Sequence, residues 1–186
     1  MANLIYSGLT SLDGYTVDET GSFDWAAPDD EVHAYVNDLE RAIGTSLYGR
    51  RMYEVMQFWE DDENIAGEPP AMLDYAKIWR SADKIVYSTT LTEVASERTR
   101  IEKRFDPDDI RRLKADAARN ISIGGPGLAA HALRANLVDE IHQFLFPVVV
   151  GGGTRFLPAE LSLSLELIVE HRFASGVVHL GYRVTR

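Results

Sequence analysis

The chain has 186 residues, of which 45% are hydrophobic and 26% are charged, proportions typical of one globular domain with a sizeable core. Its formal net charge of −10 disfavours binding to nucleic acid or to anionic membranes, because both depend on a basic protein surface. There are no cysteines, which excludes disulfides, thiolate zinc sites and cysteine nucleophiles. Any redox chemistry must therefore come from a cofactor.

Neither a membrane segment nor a targeting segment is predicted. No apolar run approaches the roughly 20 residues that a membrane-spanning helix needs. The longest such run, Phe144 to Val150, has the length of a strand. Residues 1–6 lack the basic and apolar regions of a secretory signal. We expect a cytoplasmic protein without membrane contacts and without a metal site.

The first half of the chain predicts alternating strands and helices. Leu4 to Leu9 has strand periodicity, and a loop rich in Asp, Gly and Ser then extends to about Trp25. Pro28 and the carboxylates after it favour a helix start, and an apolar stripe that includes Ile43 predicts a helix that Gly44 ends. The next predicted elements are a strand over Thr45 to Tyr48, a helix over Arg50 to Phe58, a loop over Glu60 to Pro70, a helix over Ala71 to Arg80 and a strand over Lys84 to Ser88.

The second half changes from helices to strands. Asp106 favours a helix start, and that helix is predicted to extend to about Arg119. A strand, a glycine turn and a helix over Ala129 to Ala135 follow. The last predicted strands are Ile141 to Val150, Leu165 to Arg172 and Val177 to Thr185. The pattern predicts a single α/β domain over residues 1–186, whose mainly parallel sheet ends in an antiparallel C-terminal pair.

The most informative segment joins a strand to a helix through glycines. Ile121 to Ile123 alternates like a strand, and the turn Gly124-Gly125-Pro126-Gly127-Leu128 follows directly. Glycine lets the main chain approach a ligand closely, and the free N–H groups of a helix's first turn favour an anion. The pattern indicates a dinucleotide phosphate site. The same residues also fit a glycine turn packed tightly between strand and helix.

Three further segments follow predicted strands, and the carboxyl ends of strands in an open α/β sheet form a ligand crevice. Gly49-Arg50-Arg51 places two cations at a helix start, which suits a phosphate; a pair of solvated arginines is the alternative. Ser88-Thr89-Thr90 offers hydroxyl groups to a ribose phosphate or, equally, a turn with a helix cap. Gly151-Gly152-Gly153-Thr154-Arg155 is either a ligand turn or a bulge that needs positive φ.

Four motifs occur in order along nearly the whole chain. They are Thr10-Ser11-Leu12-Asp13-Gly14-Tyr15; Leu47-Tyr48-Gly49-Arg50-Arg51-Met52-Tyr53-Glu54; Ile123-Gly124-Gly125-Pro126 with Leu137-Val138-Asp139-Glu140; and Pro147 through Gly153 to Phe156-Leu157-Pro158. Together they resemble the dihydrofolate reductase-like superfamily. The closer resemblance is to the C-terminal reductase domain of bifunctional riboflavin-biosynthesis deaminase-reductases, which reduces 5-amino-6-(5-phosphoribosylamino)uracil.

The resemblance implies a three-layer dihydrofolate reductase-like fold and NADPH as cofactor. It implies that the 2′-phosphate is held by Gly49, Arg50 and Arg51, beside an adenosine side lined by Ser88 and Thr89. It implies a pyrophosphate turn made of Gly124, Gly125, Pro126, Gly127 and Leu128. Near the nicotinamide it implies a loop over Gly151 to Thr154, with Gly152, Gly153 and Thr154 as cofactor contacts, that packs against a mobile segment containing Asp13. It also implies that Trp25 flanks the cofactor.

The substrate side departs from the pattern of the riboflavin branch. Phe23 stands where that branch has a substrate-binding serine, and Ile123 stands where it has a substrate-binding glutamate. Arg41 lies near a family arginine that binds substrate. Tyr53 begins a helix below the crevice, as a substrate contact or as simple packing. His33, beside the apolar stripe of its helix, is a candidate proton donor or a core-edge histidine.

We therefore expect an NADPH-dependent oxidoreductase that transfers hydride to a small heterocyclic substrate of pterin, pyrimidine or carbonyl type, with His33 and Asp13 as catalytic candidates. The alternative is a non-catalytic dimeric module that binds NADPH or another ligand on the same fold. A nucleic-acid-binding role is disfavoured by the acidic balance. The resemblance also implies a homodimer, for which Phe144 to Val150 is a candidate interface.

Overall fold

The computed structural model describes residues 1–185, which contain ten strands. They are β1 (Leu4–Ser11), β2 (Tyr15–Val17), β3 (Ile43–Gly49), β4 (Asp83–Tyr87), β5 (Thr99–Glu102), β6 (Asn120–Gly124), β7 (Glu140–Phe146), β8 (Thr154–Arg155), β9 (Ser164–Arg172) and β10 (Val178–Thr185). Eight of them form one sheet in the order β5-β4-β3-β6-β1-β7-β10-β9, and β2 pairs with β8 separately.

The large sheet is mainly parallel. From β5 to β7 each strand runs parallel to its neighbour, whereas β10 pairs antiparallel with both β7 and β9. This confirms the predicted mainly parallel sheet with antiparallel C-terminal strands. Because the strands from β5 to β7 run in the same direction, their carboxyl ends all lie at one edge of the sheet.

Helices cover both faces of the sheet. They are α1 (Asp30–Glu40), α2 (Arg50–Met56), α3 (Asp62–Ile65), α4 (Pro70–Ser81), α5 (Pro107–Asp116) and α6 (Pro126–Arg134), with short 3-10 helices at Asp24–Ala26 and Gln57–Glu60. Within residues 1–185, no helix combines the length and apolar character that crossing a membrane requires.

Side-chain alternation along the strands explains the three layers. Leu47 of β3 packs with Leu133 of α6, whereas the next residue, Tyr48, packs with Trp79 of α4 on the opposite face. A further apolar cluster holds α1 against β7, and α1 also contacts α4. Helices α5 and α6 therefore cover one face, and α1, α2 and α4 cover the other.

Capping residues set where the helices begin. The Asp29 carboxylate accepts the N–H of Val32 at 2.9 Å, so α1 starts where its predicted acidic start lies. Proline occupies the first position of α4, α5 and α6, where its missing N–H is tolerated.

Residues 41–44 were assigned to the wrong element by the sequence pattern. The helix that was predicted to end at Gly44 ends at Glu40 in the structure, and Ile43 begins β3. Gly44 does not end a helix; it lies within the strand, where an added Cβ would be 2.8 Å from the Cβ of Arg119. Glycine is therefore required at position 44, because a side chain there would collide with Arg119.

Other boundaries also differ from the prediction. The strand predicted to reach Val150 ends at Phe146, because Pro147 has no N–H to continue the ladder. Helix α5 ends at Asp116 rather than Arg119, and α3 interrupts the loop predicted over residues 60–70. The edge strand β5 was not predicted, since three of its four residues are polar or charged.

Candidate functional site

Three of the predicted cofactor segments lie side by side at the carboxyl edge of the sheet. Strand β3 lies between β4 and β6, and its register pairs Gly49 with Tyr87 and Tyr48 with Gly124. The residues that follow these three strands therefore meet at one place. They are Ser88 and Thr89 after β4, Arg50 and Arg51 after β3, and Gly125 to Leu128 after β6.

Two glycines of the turn are packed against neighbouring side chains, and the third lies in open space. A Cβ on Gly124 would lie 2.8 Å from the Tyr48 ring, and Gly125 has a φ of 90°, so both positions require glycine. Pro126 begins α6, and nothing lies within 4 Å of a Cβ built on Gly127. The tight packing explains the first two glycines, whereas Gly127, in the first turn of α6, borders open space.

Arg50 and Arg51 present exposed guanidinium groups at the start of α2. Arg50 Nη1 lies 3.3 Å from Glu54 Oε1, and both side chains are about half exposed. Arg51 has no ion-pair partner within residues 1–185. An exposed ion pair contributes at most about 1 kcal/mol, so Arg50 exchanges Glu54 for a phosphate at little cost. Both cations are therefore available to an anion.

Ser88 and Thr89 have different roles. Ser88 is buried, and its Oγ accepts the N–H groups of Thr90 and Leu91 at 3.2 and 2.9 Å. The Ser88 hydroxyl thus stabilises a turn, which is the alternative to a ribose phosphate contact that the sequence left open. Thr89 is exposed and makes no hydrogen bond within residues 1–185, so its hydroxyl is the one available to a ligand.

The loop after β7 packs against the segment after β1, the next strand along the same edge. The Asp13 carboxylate accepts the N–H groups of Val150 and Gly151 at 3.2 and 2.8 Å. The Ser11 hydroxyl and these N–H groups hold the pKa of Asp13 below its usual value. A carboxylate held ionised by three donors is a poor proton donor. Asp13 therefore anchors the loop, and its role as a catalytic candidate stays a prediction.

Two glycines of this loop, Gly152 and Gly153, allow a close approach to residues 17–19. A Cβ on Gly152 would lie 2.5 Å from Glu19 Oε1, and one on Gly153, whose φ is 122°, would lie 2.0 Å from the Val17 carbonyl oxygen. Thr154 then pairs with Val17 across the β2–β8 ribbon. The loop and the segment around Asp13 are thus one packed unit at the edge of β1 and β7.

Trp25 lines a cavity of about 220 Å³ beside this unit. The cavity lies between the start of α1, the end of β7 and the turn before β10, and Phe146 and Val177 contribute apolar walls. Trp25 Nε1 is buried and has no hydrogen-bond partner within residues 1–185. Phe23, two residues earlier, is 48% exposed. The segment therefore presents the Phe23 ring to solvent, and the Trp25 residue that lines the cavity also carries a buried donor without a partner.

Arg41 lines a groove of about 480 Å³ between α1 and α4. Its guanidinium is already paired, with Nη2 2.6 Å from Asp74 Oδ2 and Nε 3.3 Å from Asp38 Oδ1. Asn37, which is buried, donates to the same Asp74 carboxylate and to the carbonyl of Ala71. Arg41 is thus near a cavity, as expected for a substrate-side residue, but its charge is neutralised within the fold.

His33 is oriented by Asn37. Because the Asn37 amide nitrogen already donates twice, its oxygen faces the His33 Nδ1 at 3.2 Å and requires a hydrogen on that nitrogen. The His33 ring also meets Trp59 and Tyr75 edge-on, with ring centroids 5.9 and 5.7 Å away. His33 Nε2 has no hydrogen-bond partner within residues 1–185 and is the atom that can exchange a proton.

Two predicted substrate-side residues belong to the core instead. Ile123 is fully buried in the cluster on the α5 and α6 face, where it is paired in register with Tyr6 and Leu47. Tyr53 is also fully buried; its hydroxyl lies 2.9 Å from Ser96 Oγ and accepts two backbone N–H groups. Packing and long-range hydrogen bonds thus occupy both side chains, and for Tyr53 this is the packing role that the sequence left open.

Sequence reasoning missed Asn37 and Asp74, which organise the groove. Their partners lie 34 and 33 residues away along the chain, so no local spacing marks them. It also missed a chain of buried polar groups formed by His142, His179 and Tyr35. The only local signal is that both histidines alternate with apolar residues on predicted strands.

The sequence matches the model of the RibD C-terminal domain over residues 2–179. The chain belongs to this family. It is similar to a putative riboflavin biosynthesis protein from Shewanella sp. PV-4, with 26% identity, a TM-score of 0.78 and full coverage of both chains. The comparison with curated proteins gave no match.

Two more distant solved structures have a similar fold. The Thermotoga maritima diaminohydroxyphosphoribosylaminopyrimidine deaminase/5-amino-6-(5-phosphoribosylamino)uracil reductase is 13% identical with a TM-score of 0.67, over 99% of this chain and 57% of that one. Enterococcus faecalis dihydrofolate reductase, complexed with NADP(H), is 14% identical with a TM-score of 0.62, over 99% and 97% of the two chains. The RibD-family chain therefore has a dihydrofolate reductase-like fold, as predicted.

Proposed function

We propose that this RibD-family protein is an NADPH-dependent reductase that delivers a hydride to a small heterocyclic substrate of pterin, pyrimidine or carbonyl type. The observation that carries the proposal is the adjacency of β4, β3 and β6. Their carboxyl ends bring a free hydroxyl, two exposed arginines and a glycine turn to one edge of the sheet. These are the groups that bind phosphates in proteins.

The arrangement suggests how the cofactor lies along the edge. Arg50 and Arg51, with Thr89 beside them, would hold the 2′-phosphate that distinguishes NADPH from NADH. The first turn of α6 would face the pyrophosphate. The loop over residues 151–154 and Trp25, farther along the edge, would then border the nicotinamide, which supplies the hydride when the cofactor is bound.

The substrate side is proposed to involve His33 and the α1–α4 groove. His33 Nε2 would exchange a proton with the substrate, and Asn37 would fix the ring that carries it. Asp13 would act indirectly, by anchoring the loop over residues 150–151. The remaining contribution of the protein is to position the two reactants and to exclude water.

Fluorescence titration with NADPH and NADH tests the cofactor assignment. Arg50→Ala should weaken NADPH binding by about tenfold or more, since a charge-assisted contact to phosphate is lost, and should change NADH binding by less than about threefold. Arg183→Ala is the matched control, because Arg183 pairs with Glu166 at the opposite edge of the sheet. Equal losses for both cofactors would refute the 2′-phosphate assignment.

A non-catalytic protein that binds NADPH or another ligand is the second candidate. The observation that favours it is that two catalytic or substrate-side candidates, Asp13 and Tyr53, have structural partners instead. Following NADPH oxidation with a panel of pterins, flavin precursors and carbonyl compounds separates the two. Binding without oxidation across the whole panel would support the second candidate.

We also propose a homodimer, though not through the strand first expected. Phe144 and Phe146 are buried within the chain, and β7 lies between two neighbouring strands, which disfavours this strand as the interface. The edge strand β9 instead exposes Leu165, Leu167 and Ile168. Light scattering should give twice the mass of one chain, and Leu167→Glu should lower the measured mass towards that of a single chain. A single-chain mass for the unmodified protein would reject the dimer.

A further inference from the structure

Two acceptors fix the orientation of the Asn37 amide. Asn37 is only 1% exposed, and its Nδ2 donates to the carbonyl of Ala71 and to Asp74 Oδ2, both at 2.8 Å. A carbonyl oxygen only accepts. Hydrogen bonds from Arg41 lower the pKa of Asp74, so this carboxylate is ionised and also only accepts. The amide nitrogen of Asn37 must therefore face these two groups, and the amide oxygen must face away from them.

The amide oxygen of Asn37 faces His33 instead. Asn37 Oδ1 lies 3.2 Å from His33 Nδ1, one turn earlier on α1. Because an amide oxygen has no hydrogen to donate, this contact is a hydrogen bond only if His33 Nδ1 carries the hydrogen. A neutral imidazole has a single N–H. In neutral His33 the other nitrogen, Nε2, is therefore an acceptor without a hydrogen.

Two aromatic side chains hold the His33 ring in this orientation. The ring centroids of Trp59 and Tyr75 lie 5.9 and 5.7 Å from that of His33, and their planes are inclined to it by 74° and 86°. Both contacts are edge-on, which is a favourable arrangement of aromatic rings. His33 Nε2 has no hydrogen-bond partner in the described part of the chain, residues 1–185. The ring is thus held in place while its acceptor nitrogen is free to bind a ligand.

His33 lies near the carboxyl edge of the sheet. Its backbone N–H donates to the carbonyl of Asp29 at 2.9 Å, at the start of α1. Asp29 lines the cavity that Trp25 and Phe146 border at the end of β7. The histidine is therefore one helical turn from a residue that lines this cavity.

We propose that Asn37 is a positioning residue, which fixes the tautomer of His33 so that the neutral histidine accepts a hydrogen bond from the substrate. The inference rests on the proposed function in one respect, namely that His33 Nε2 meets the substrate. The substrate group that binds neutral His33 must then carry an N–H or O–H. The lactam N–H of a pterin or pyrimidine meets this requirement, whereas a simple ketone or aldehyde has no such donor. The inference therefore narrows the proposed substrates to the pterin and pyrimidine types.

Imidazole ¹⁵N chemical shifts test the proposal, because they show which ring nitrogen carries the hydrogen. They are measured on protein labelled with ¹⁵N at histidine, without cofactor, at about pH 9, where an ordinary histidine with a pKa of about 6.5 is neutral. His33→Gln identifies the signals of His33 among the 5 histidines of the chain. The unmodified protein should carry the His33 hydrogen on Nδ1 and none on Nε2.

Three variants separate control of the tautomer from packing. Asn37→Leu removes the acceptor and should shift the tautomer ratio by about tenfold or more towards hydrogen on Nε2, as expected for the loss of one hydrogen bond. The exchange of Asn37→Asp with Asp74→Asn supplies a carboxylate that accepts from His33, so it should return the hydrogen to Nδ1. Val36→Ala is the matched control, because it removes apolar packing from the same helix but no side-chain hydrogen bond, and it should leave the ratio unchanged.

The Nε2 signal of His33 also reports which ligands the histidine accepts. Uracil carries lactam N–H groups and should shift the Nε2 signal of the unmodified protein. In 1,3-dimethyluracil methyl groups replace these hydrogens, so this ligand should leave the signal in place. If uracil has no effect, or if both ligands shift the signal equally, the assignment of a substrate that donates to His33 is refuted.

Two results would overturn the role of Asn37: a hydrogen on His33 Nε2 in the unmodified neutral protein, or a folded Asn37→Leu variant that keeps the original tautomer ratio. The first measurement needs no variant, and it decides the question if Asn37→Leu does not fold. NADPH binding is measured separately by fluorescence titration. A protein that binds NADPH but gives either result refutes the role of Asn37 alone, whereas a protein that does not bind NADPH refutes the proposed function.

Discussion

Two buried histidines connect β7 and β10 to α1. We predict from them that the fold loses stability in acid. His142 Nδ1 lies 3.0 Å from His179 Nε2, and His179 Nδ1 lies 3.1 Å from the Tyr35 hydroxyl. At the other end, His142 Nε2 lies 3.4 Å from the Glu140 carboxylate, which can only accept. Each group therefore donates towards Glu140, from Tyr35 through both rings. In this arrangement every ring nitrogen of the two histidines has a partner without an additional proton.

The magnitude of the effect follows from His179, which is fully buried. Burial, and then the neighbouring charges of His142 and His171, lower its pKa from 6.5 to about 4. The unfolded chain regains the ordinary pKa and so takes up the proton first as the pH falls. The stabilisation is present in full above about pH 6.5 and is lost towards pH 4, by about 2 kcal/mol at pH 5 and about 3 kcal/mol at pH 4.

Urea unfolding at a series of pH values from 7 to 4 measures this loss. His179→Gln removes the titrating ring and keeps an amide that can donate to His142, so its free energy of unfolding should fall less steeply with acid than that of the unmodified protein. His131→Gln is the control, because His131 is exposed on α6, on the opposite face of the sheet from α1. If His179→Gln shows the same slope as the unmodified protein, the reasoning from the buried histidine is wrong.

Three further predictions concern the edge of the sheet. Gly124→Ala should cost about 1–3 kcal/mol in unfolding free energy, since its Cβ would lie 2.8 Å from the Tyr48 ring, whereas Gly127→Ala, in open space, should cost less than about 1 kcal/mol. Tyr53→Phe should lower stability by about 1–3 kcal/mol and leave the NADPH affinity unchanged; an altered affinity would restore Tyr53 to the site. Asp13→Ala should speed hydrogen exchange at the Val150 and Gly151 amides, and unchanged exchange there would contradict the anchoring role.

The sequence predicted which segments meet at the carboxyl edge of the sheet, because its signals are local. A strand, a glycine and a helix start follow one another within a few residues, and parallel strands bring such segments to one edge. Gly49-Arg50-Arg51 and Gly124 to Leu128 are therefore found together without any knowledge of long-range contacts. Ser88 shows the limit of the same reasoning, because a hydroxyl at a strand end serves a ligand or a turn, and only the fold decides between them.

The substrate side depends on partners that are distant in sequence. Tyr53 bonds to Ser96, 43 residues away, and Arg41 bonds to Asp74, 33 residues away. No spacing rule connects such pairs. The burial of Ile123 could have been predicted, because Ile121 and Ile123 are two residues apart and so lie on the same face of a strand. This spacing is a stronger indication of the role of Ile123 than its position beside the glycine turn.

The most direct test of the central claim is a map of amide chemical-shift changes when NADP⁺ is added to the protein. The account predicts that the largest changes lie at the carboxyl edge of the sheet, at Arg50, Arg51, Thr89, Gly127 and Leu128. Amides at the opposite edge, such as those of Ile43 and Asn120, should keep their positions. Changes confined to the α1–α4 groove, or no change at saturating NADP⁺, would contradict the assignment of this edge as the cofactor site.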